Sequence, residues 1–136
     1  MLECRNLPSQ QPKMNRTALT AIAPEIFRKR LIVEGYYTTV MGEEAIRAYF
    51  ADITAALNLR TYGDPVIHRT SGQGRPENEG FDGFVPLIDS GIYVAAWTYK
   101  RFLSTVLYTC ANFDEDVAVA KVASIFGLQQ HEAAVF

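Results

Sequence analysis

The chain contains few of the residues from which metal sites and disulfide frameworks are built. It has two cysteines and two histidines among 136 residues, and none of them shows metal-ligand spacing. The formal net charge of −2 disfavours nucleic acid as a partner. No apolar run is long enough to span a bilayer, so a membrane partner is disfavoured as well. These absences predict a reduced, cytoplasmic protein.

Length and composition predict one small globular domain. Hydrophobic residues make up 49% of the chain and charged residues 21%, which is ordinary for a folded protein. Residues 1–24 are polar and mixed, which predicts an irregular N-terminal arm, and residues 25–136 form the predicted domain. So short a chain buries a modest core, and pairing with a second copy would enlarge it.

Hydrophobic periodicity predicts two helices and six strands. The first helix, over residues 43–57, has apolar residues at helical spacing on one face. The second covers residues 114–126, with Asp114 as its N-cap and Gly127 as its stop. Strands are predicted at 30–37, 59–69, 83–89, 91–97, 102–110 and 128–136. The order β-α-β-β-β-β-α-β predicts an α+β, two-layer sandwich, with both helices on one face of a mainly antiparallel sheet.

The residues that could carry out chemistry lie where two apolar strands meet. Asp89 and Ser90 lie at that junction, and Cys110 closes the following strand. This segment resembles the self-cleavage segment of the S-adenosylmethionine decarboxylase family, in its short prokaryotic, pyruvoyl-dependent form. Ser90, Trp97 and Cys110 fall at the family's spacing, and Glu34 matches the glutamate of its opening strand. The resemblance covers residues 28–136 and identifies the chain as a divergent member.

The resemblance implies a reaction for each of these residues. The Ser90 hydroxyl would attack the carbonyl of Asp89, separate chain 1–89 from chain 90–136 and become a pyruvoyl cofactor. The pyruvoyl carbonyl would accept electrons as carbon dioxide leaves an amine substrate, without a metal. Cys110 matches the residue that returns a proton, and Glu34 is expected in the active site. From the residues alone, Ser90 is more typical of a turn and Cys110 of a small core residue, and it is the resemblance that makes the catalytic interpretation of each as strong as the structural one.

Three positions depart from the family's pattern. Ala95 stands where the family has a histidine that helps to release the ester, and Asp82 stands where it has a processing serine. Tyr99 replaces the glutamate that holds the ribose hydroxyls, so Tyr99, Trp97 and Asp82 are the predicted substrate-binding residues. Aromatic faces also suit a cationic substrate. The two histidines, His68 and His131, are each predicted to have a structural or surface role, with the alternative that one of them approaches the site in space and replaces the missing imidazole.

Three functions are compatible with this pattern. The first is a pyruvoyl decarboxylase that acts on S-adenosylmethionine for spermidine (polyamine) biosynthesis, or on another amino acid such as ornithine or arginine. The second is an uncleaved relative that acts as a ligand-binding or regulatory subunit. The third is a cofactor-free enzyme using Asp82, Asp89 and Glu34 as acids or bases. An enzyme is favoured because Ser90, Glu34 and Cys110 occur together, and the resemblance implies a homodimer with its sheets packed face to face.

Overall fold

The structure is a computed structural model that describes residues 14–17, 19, 21–88 and 90–136. These residues form one sheet, two α-helices and two short 3₁₀ turns in the connection over residues 71–79. The elements in chain order are β1 (Asn15–Arg16), β2 (Lys29–Tyr36), α1 (Glu43–Ala56), β3 (Val66–Thr70), β4 (Gly80–Leu87), β5 (Ser90–Trp97), β6 (Phe102–Thr109), α2 (Glu115–Phe126) and β7 (His131–Val135).

The strands form a single mixed sheet in the order β1-β7-β2-β6-β5-β4-β3. Every neighbouring pair is antiparallel except the short parallel pair of β1 and β7. The predicted α+β class with a mainly antiparallel sheet is therefore confirmed. The two-residue β1 lies within the segment predicted as an irregular arm, and residues 1–13 of that arm lie outside the described residues.

Local features of the sequence explain where both helices form. The buried face of α1 consists of the residues at helical spacing: Ile46, Tyr49, Phe50, Ile53 and Thr54. At the start of α2, the Asp114 carboxylate accepts the backbone N–H groups of Asp116 and Val117 at 2.9 and 3.1 Å. Gly127 ends α2 with a φ of 58°, in the left-handed region that favours glycine.

The core lies between the two helices and one face of the sheet. Alternate residues of the central strands are buried against α1 and α2, among them Leu31, Val33, Ile92, Val94, Leu103 and Leu107. Tyr49 of α1 shares a 2.8 Å hydrogen bond with Thr105 of β6. Since the Thr105 hydroxyl donates to the Tyr93 carbonyl, the Tyr49 hydroxyl is the donor in this pair. Burial raises the pKa of Tyr49 far above its usual range.

The other face of the sheet carries no covering element among the described residues, and we call it the open face. It presents large apolar side chains that are 40–54% exposed: Tyr36, Val66, Phe84, Tyr93 and Tyr108. A sheet face this rich in exposed aromatic residues is typical of an interaction surface or a ligand site. As for the helices, none in the described part of the chain is long and apolar enough to cross a membrane.

Two of the predicted strands are shorter in the structure than in the prediction. The expected strand over residues 59–69 is reduced to β3, Val66–Thr70, and Thr61 makes only an isolated bridge to Leu87. The interruption at Gly63-Asp64-Pro65 ends regular pairing, because glycine favours bends and proline has no N–H to donate. The predicted last strand, 128–136, is likewise shortened to His131–Val135.

Candidate active site

Ser90 lies at the end of a tight hairpin between β4 and β5. The register pairs Leu87 with Ser90, which leaves two sequence positions between the paired residues. Ile88, at the first position, is 41% exposed. Asp89, at the second position, was predicted to supply the scissile carbonyl and lies outside the described residues. The side chain of Ser90 is half-buried at the first position of β5.

Cys110 contacts Ser90 through its backbone. Strand β6 runs antiparallel to β5 with Tyr108 opposite Gly91, and this register carries Cys110 to the start of β5. The Cys110 N–H donates a hydrogen bond to Ser90 Oγ at 3.2 Å. The thiol of Cys110 is free and the residue is exposed. The structure therefore places side by side two predicted catalytic residues that are far apart in the sequence.

A transverse row of mostly polar residues crosses the open face at the other end of β5. Each member lies directly opposite the next on the neighbouring strand, so all of them share one face of the sheet. We call this the polar row, and from β7 to β3 its members are Glu132, Glu34, Ser104, Ala95, Asp82 and His68. Three carboxylates and one imidazole lie on this row, which gives the middle of the open face an acidic character.

The Asp82 end of the polar row borders a cavity of about 430 Å³. The cavity lies beneath the connection over residues 71–79, and Asp82, Tyr93, Ala95 and Trp97 form part of its wall. Burial and the nearby Asp82 carboxylate both raise the pKa of the Tyr93 hydroxyl. A carboxylate beside two aromatic rings is an arrangement that favours organic cations. Two of the three predicted substrate-binding residues, Asp82 and Trp97, thus line one cavity.

Glu34 lies near the opposite end of the polar row, next to Glu132. It borders a separate cavity of about 280 Å³ together with Glu132 and Asn15. Glu34 is half-buried and lies directly opposite Ser104 and Glu132. Within one chain, the structure therefore does not bring Glu34 to Ser90.

Tyr99 lies in the turn between β5 and β6 and is 71% exposed. It is not among the residues that line the cavity beside Asp82. Trp97 lies closer to that cavity and packs against Phe102, with ring centroids 5.7 Å apart. In this geometry Trp97, rather than Tyr99, can contact a ligand beside Asp82.

The two parts of the candidate site are separated along β5. Ala95 lies five residues from Ser90, which is roughly 17 Å along a strand, and Asp82 lies directly opposite Ala95. No side chain of the polar row spans that gap within one chain. The described residues contain no cluster of three or more metal-ligating side chains.

Sequence reasoning missed the pairing of His68 with Asp82. The two residues lie directly opposite each other on β3 and β4, and Ile67, which alternates with His68, packs toward the core. His68 is therefore on the open face, in the same row as Ala95. The only sequence signal for this pairing is the alternation within β3, and the register of β3 against β4 could not be deduced across the long intervening connection.

The fold and the open face define a two-layer α+β protein with a candidate site built on its strands. No protein-family model matches the chain, and no curated protein matches it by sequence. Among solved structures, the fold is similar to that of the adenosylmethionine decarboxylase from Aquifex aeolicus VF5. The TM-score is 0.67, over 82% of this chain and 89% of that one. The sequences are 15% identical, so the likeness shows a common fold.

Proposed function

We propose that this chain is a self-processing, pyruvoyl-dependent decarboxylase of the S-adenosylmethionine decarboxylase type, cleaved between Asp89 and Ser90. The observation that carries the proposal is the hydrogen bond from Cys110 N–H to Ser90 Oγ. It joins a predicted nucleophile and a predicted proton donor close to Ile88, which is exposed. The similarity of the fold to that of an adenosylmethionine decarboxylase supports the same assignment.

The residues around Ser90 fit the formation of a pyruvoyl group. Ser90 is the first residue of β5, and the peptide bond to be cleaved joins it to the hairpin connection that precedes this strand. The N–H of Cys110 points at Ser90 Oγ, where negative charge develops as the hydroxyl loses its proton. Once formed, the pyruvoyl group supplies a carbonyl that accepts the electrons left by departing carbon dioxide.

Cleavage proceeds in steps that involve only the chain and water. Ser90 Oγ bonds to the carbonyl carbon of Asp89 and the peptide C–N bond breaks, so the nitrogen of residue 90 gains a proton and an ester forms. A base then removes the Cα proton of residue 90, and the main-chain α-carboxylate of Asp89 leaves with the Cβ–O electron pair. Water hydrolyses the resulting dehydroalanine to the pyruvoyl group and releases ammonia.

The substrate is an amine-bearing cation. The Asp82 carboxylate and the rings of Tyr93 and Trp97 border a cavity of about 430 Å³, which suits a small organic molecule. S-adenosylmethionine carries an ammonium and a sulfonium, and its decarboxylation gives the aminopropyl donor for spermidine. Ornithine and arginine are also cations of suitable size, and the exposed position of Tyr99 does not select against them.

A second copy of the chain completes the site. Ser90 and the Asp82 cavity lie near opposite ends of β5, roughly 17 Å apart along the strand. If two open faces pack together with their strands antiparallel, the Asp82 end of one sheet lies over the Ser90 end of the other. The exposed aromatic residues of the open face supply the apolar surface for such a homodimer.

Intact mass spectrometry of the freshly purified chain tests the proposal. We expect two fragments, 1–89 and 90–136, the second with a pyruvoyl group in place of its terminal amine. Ser90→Ala should remain one chain, whereas Ser124→Ala, on an exposed position of α2, should be cleaved as the unmodified protein is. Carbon dioxide release from labelled S-adenosylmethionine, ornithine and arginine then identifies the substrate. A wild-type chain that stays whole on incubation would contradict the proposal.

The second candidate is an uncleaved ligand-binding or regulatory subunit of the same fold. It is favoured by Ala95, whose methyl group lies between Ser104 and Asp82 on the polar row at the position matched to the family's histidine. For this candidate we expect an intact chain that binds an organic cation in the cavity beside Asp82. Calorimetric titration with the same three amines distinguishes it, since an uncleaved chain binds them without releasing carbon dioxide.

A further inference from the structure

The connection between β6 and α2, residues 110–114, is held by one side chain of β2. Lys29 lies directly opposite Thr109, the last residue of β6. Its ammonium group donates hydrogen bonds to the side-chain oxygen of Asn112 and to the carbonyl of Phe113, both at 2.7 Å. The same group lies over the Phe113 ring, 4.9 Å from its centroid. Lys29 thus attaches this connection to the neighbouring strand.

The ammonium group of Lys29 has a further acceptor at the start of α2. It donates to the Glu115 carboxylate at 2.8 Å, and Arg16 donates to the other oxygen of that carboxylate at 2.6 Å. The side chain of Lys29 is largely buried, whereas that of Arg16 is largely exposed. An ammonium group has three N–H donors, and in Lys29 all three have acceptors. A cation paired in this way holds segments of the chain together.

Thr109 provides a second attachment next to Cys110. Its side chain is fully buried, and its hydroxyl donates to the carbonyl of Ala111, which closes a turn around Cys110. The N–H of Cys110 donates to Ser90 Oγ at 3.2 Å. The position of this N–H, and that of the thiol, therefore depends on the segment that Thr109 and Lys29 hold.

We propose that Lys29 is the positioning residue for Cys110 in processing and in decarboxylation. The inference rests on the proposed function, because Cys110 acts there on Ser90 Oγ through its N–H and on the substrate through its thiol. With Lys29 in place, the connection has one arrangement, and the N–H points at the oxygen on which charge develops. Without Lys29, the connection gains other arrangements, and the aligned one is populated for only part of the time.

Arg16 provides a matched control for Lys29. Both are cations bonded to the Glu115 carboxylate. Of these two described residues, only Lys29 donates to Asn112 and Phe113. Arg16→Met therefore removes one partner of Glu115 and leaves the connection attached. A difference between Lys29→Met and Arg16→Met reports on the connection itself.

Processing and decarboxylation should both slow in Lys29→Met. Time-resolved intact mass spectrometry of cell-free synthesised full-length chains should show processing roughly 10-fold slower than in the wild type, the loss expected for a slightly misplaced reacting group. Fully processed protein should show a similar fall in kcat with KM unchanged, because the substrate cavity beside Asp82 lies near the other end of β5. Arg16→Met should match the wild type. Lys29→Arg keeps the charge and the donors, so its rates should lie between those of Lys29→Met and the wild type.

NMR relaxation measures the same role in chains that are not cleaved. In Ser90→Ala, the backbone amides of Cys110 and Asn112 should have order parameters of about 0.85, typical of rigid backbone, and adding Lys29→Met should lower them below about 0.6. Adding Arg16→Met should leave them unchanged. Urea midpoints confirm that all of these chains are folded. A connection that stays equally rigid on the nanosecond and millisecond timescales after loss of Lys29 would overturn the proposal.

The outcomes separate this inference from the function on which it rests. If the wild-type chain is cleaved and Lys29→Met has the same processing rate and kcat as Arg16→Met, the role of Lys29 is wrong while the decarboxylase proposal stands. If the wild-type chain stays whole on incubation, the decarboxylase proposal fails, and the role of Lys29 in processing fails with it, whatever the NMR measurement shows.

Discussion

The backbone N–H of Cys110 donates a hydrogen bond to the hydroxyl oxygen of Ser90 at 3.2 Å. The backbone and the side chain of Cys110 can therefore have separate functions. The amide of Cys110 can stabilise charge on Ser90 Oγ during processing. The thiol is free and exposed, and is available as a proton donor afterwards. Substitution of the side chain should therefore separate processing from decarboxylation.

Cys110→Ala should be processed normally and decarboxylate poorly. The substitution keeps the backbone N–H that Ser90 Oγ accepts, so cleavage between residues 89 and 90 should proceed at nearly the wild-type rate. Loss of the proton donor should lower the rate of carbon dioxide release by roughly 100-fold. Mass spectrometry and a labelled-substrate assay measure the two steps on the same sample. Equal loss of both activities would contradict this division of tasks.

Val106→Glu should dissociate the proposed dimer without unfolding the protomer. Val106 lies between Ile32 and Tyr93 on the open face, so a second sheet packed there would bury the new charge at a large cost. Light scattering coupled to size exclusion should show a shift from dimer to monomer. Val117→Glu, on an exposed position of α2, should leave the dimer intact. A wild-type chain that runs as a monomer would refute this expectation.

The stability of the protein should decrease at acidic pH because of Glu115. Hydrogen bonds from Lys29 and Arg16 lower the pKa of the Glu115 carboxyl from 4.5 to about 2. A carboxylate whose pKa is lower in the folded state than in the unfolded state stabilises the folded protein. The stabilisation is fully present above the unfolded-state pKa and is lost as the pH falls through the folded-state pKa. The stabilisation is therefore complete above about pH 5 and is lost between pH 4.5 and 2.

Glu115→Gln should accordingly destabilise the protein by about 1 kcal/mol at pH 7, because Arg16 is largely exposed and water screens part of the attraction. The difference between variant and wild type should shrink below pH 4.5 and nearly vanish at pH 2. Urea midpoints at several pH values measure it. Asp116→Asn removes a carboxylate from the same helical turn and should have a smaller effect that isolates the helix-dipole contribution.

Asp82→Asn should lower the pKa of Tyr93. Burial is the larger cause of the raised pKa, and repulsion between the phenolate and the Asp82 carboxylate is the smaller one. Removing the carboxylate charge should therefore lower the pKa while leaving it above the ordinary value of 10.0. Titration of the assigned Tyr93 ring signals by NMR follows the change, and Glu132→Gln, at the far end of the polar row, serves as the control. An unchanged pKa would mean that Asp82 does not face Tyr93.

Local signals in the sequence were sufficient for most elements of the fold. The apolar spacing of α1 predicted residues 43–57 against an observed Glu43–Ala56, and Asp114 and Gly127 marked the ends of α2 as expected. The strand predicted at 59–69 begins too early compared with the observed Val66–Thr70. Residues 59–62 have the apolar content of a strand, but the Gly-Asp-Pro interruption that follows them prevents regular pairing. Such local errors leave the class of the fold unchanged.

The candidate site depends on register, which local signals do not contain. The spacing of Ser90 and Cys110 predicted one part of it, because only one hairpin separates the two residues. Glu34, Asp82 and His68 come from three strands separated by a helix and by the connection over residues 71–79. Their common row appears only when the strand order and pairing are known. Whether Asp89 has the conformation that cleavage requires stays a prediction, since it lies outside the described residues.

The strand order has a consequence for a chain cut between β4 and β5. Residues 1–89 would contribute β1, β2, β3 and β4, and residues 90–136 would contribute β5, β6 and β7. In the sheet β7 lies between β1 and β2, and β2 lies between β7 and β6, so the two polypeptides would be interleaved. Separating them would break four strand interfaces at once, which amounts to unfolding the domain. The cleaved chain would therefore unfold as one cooperative unit, and the two fragments would separate only in denaturant.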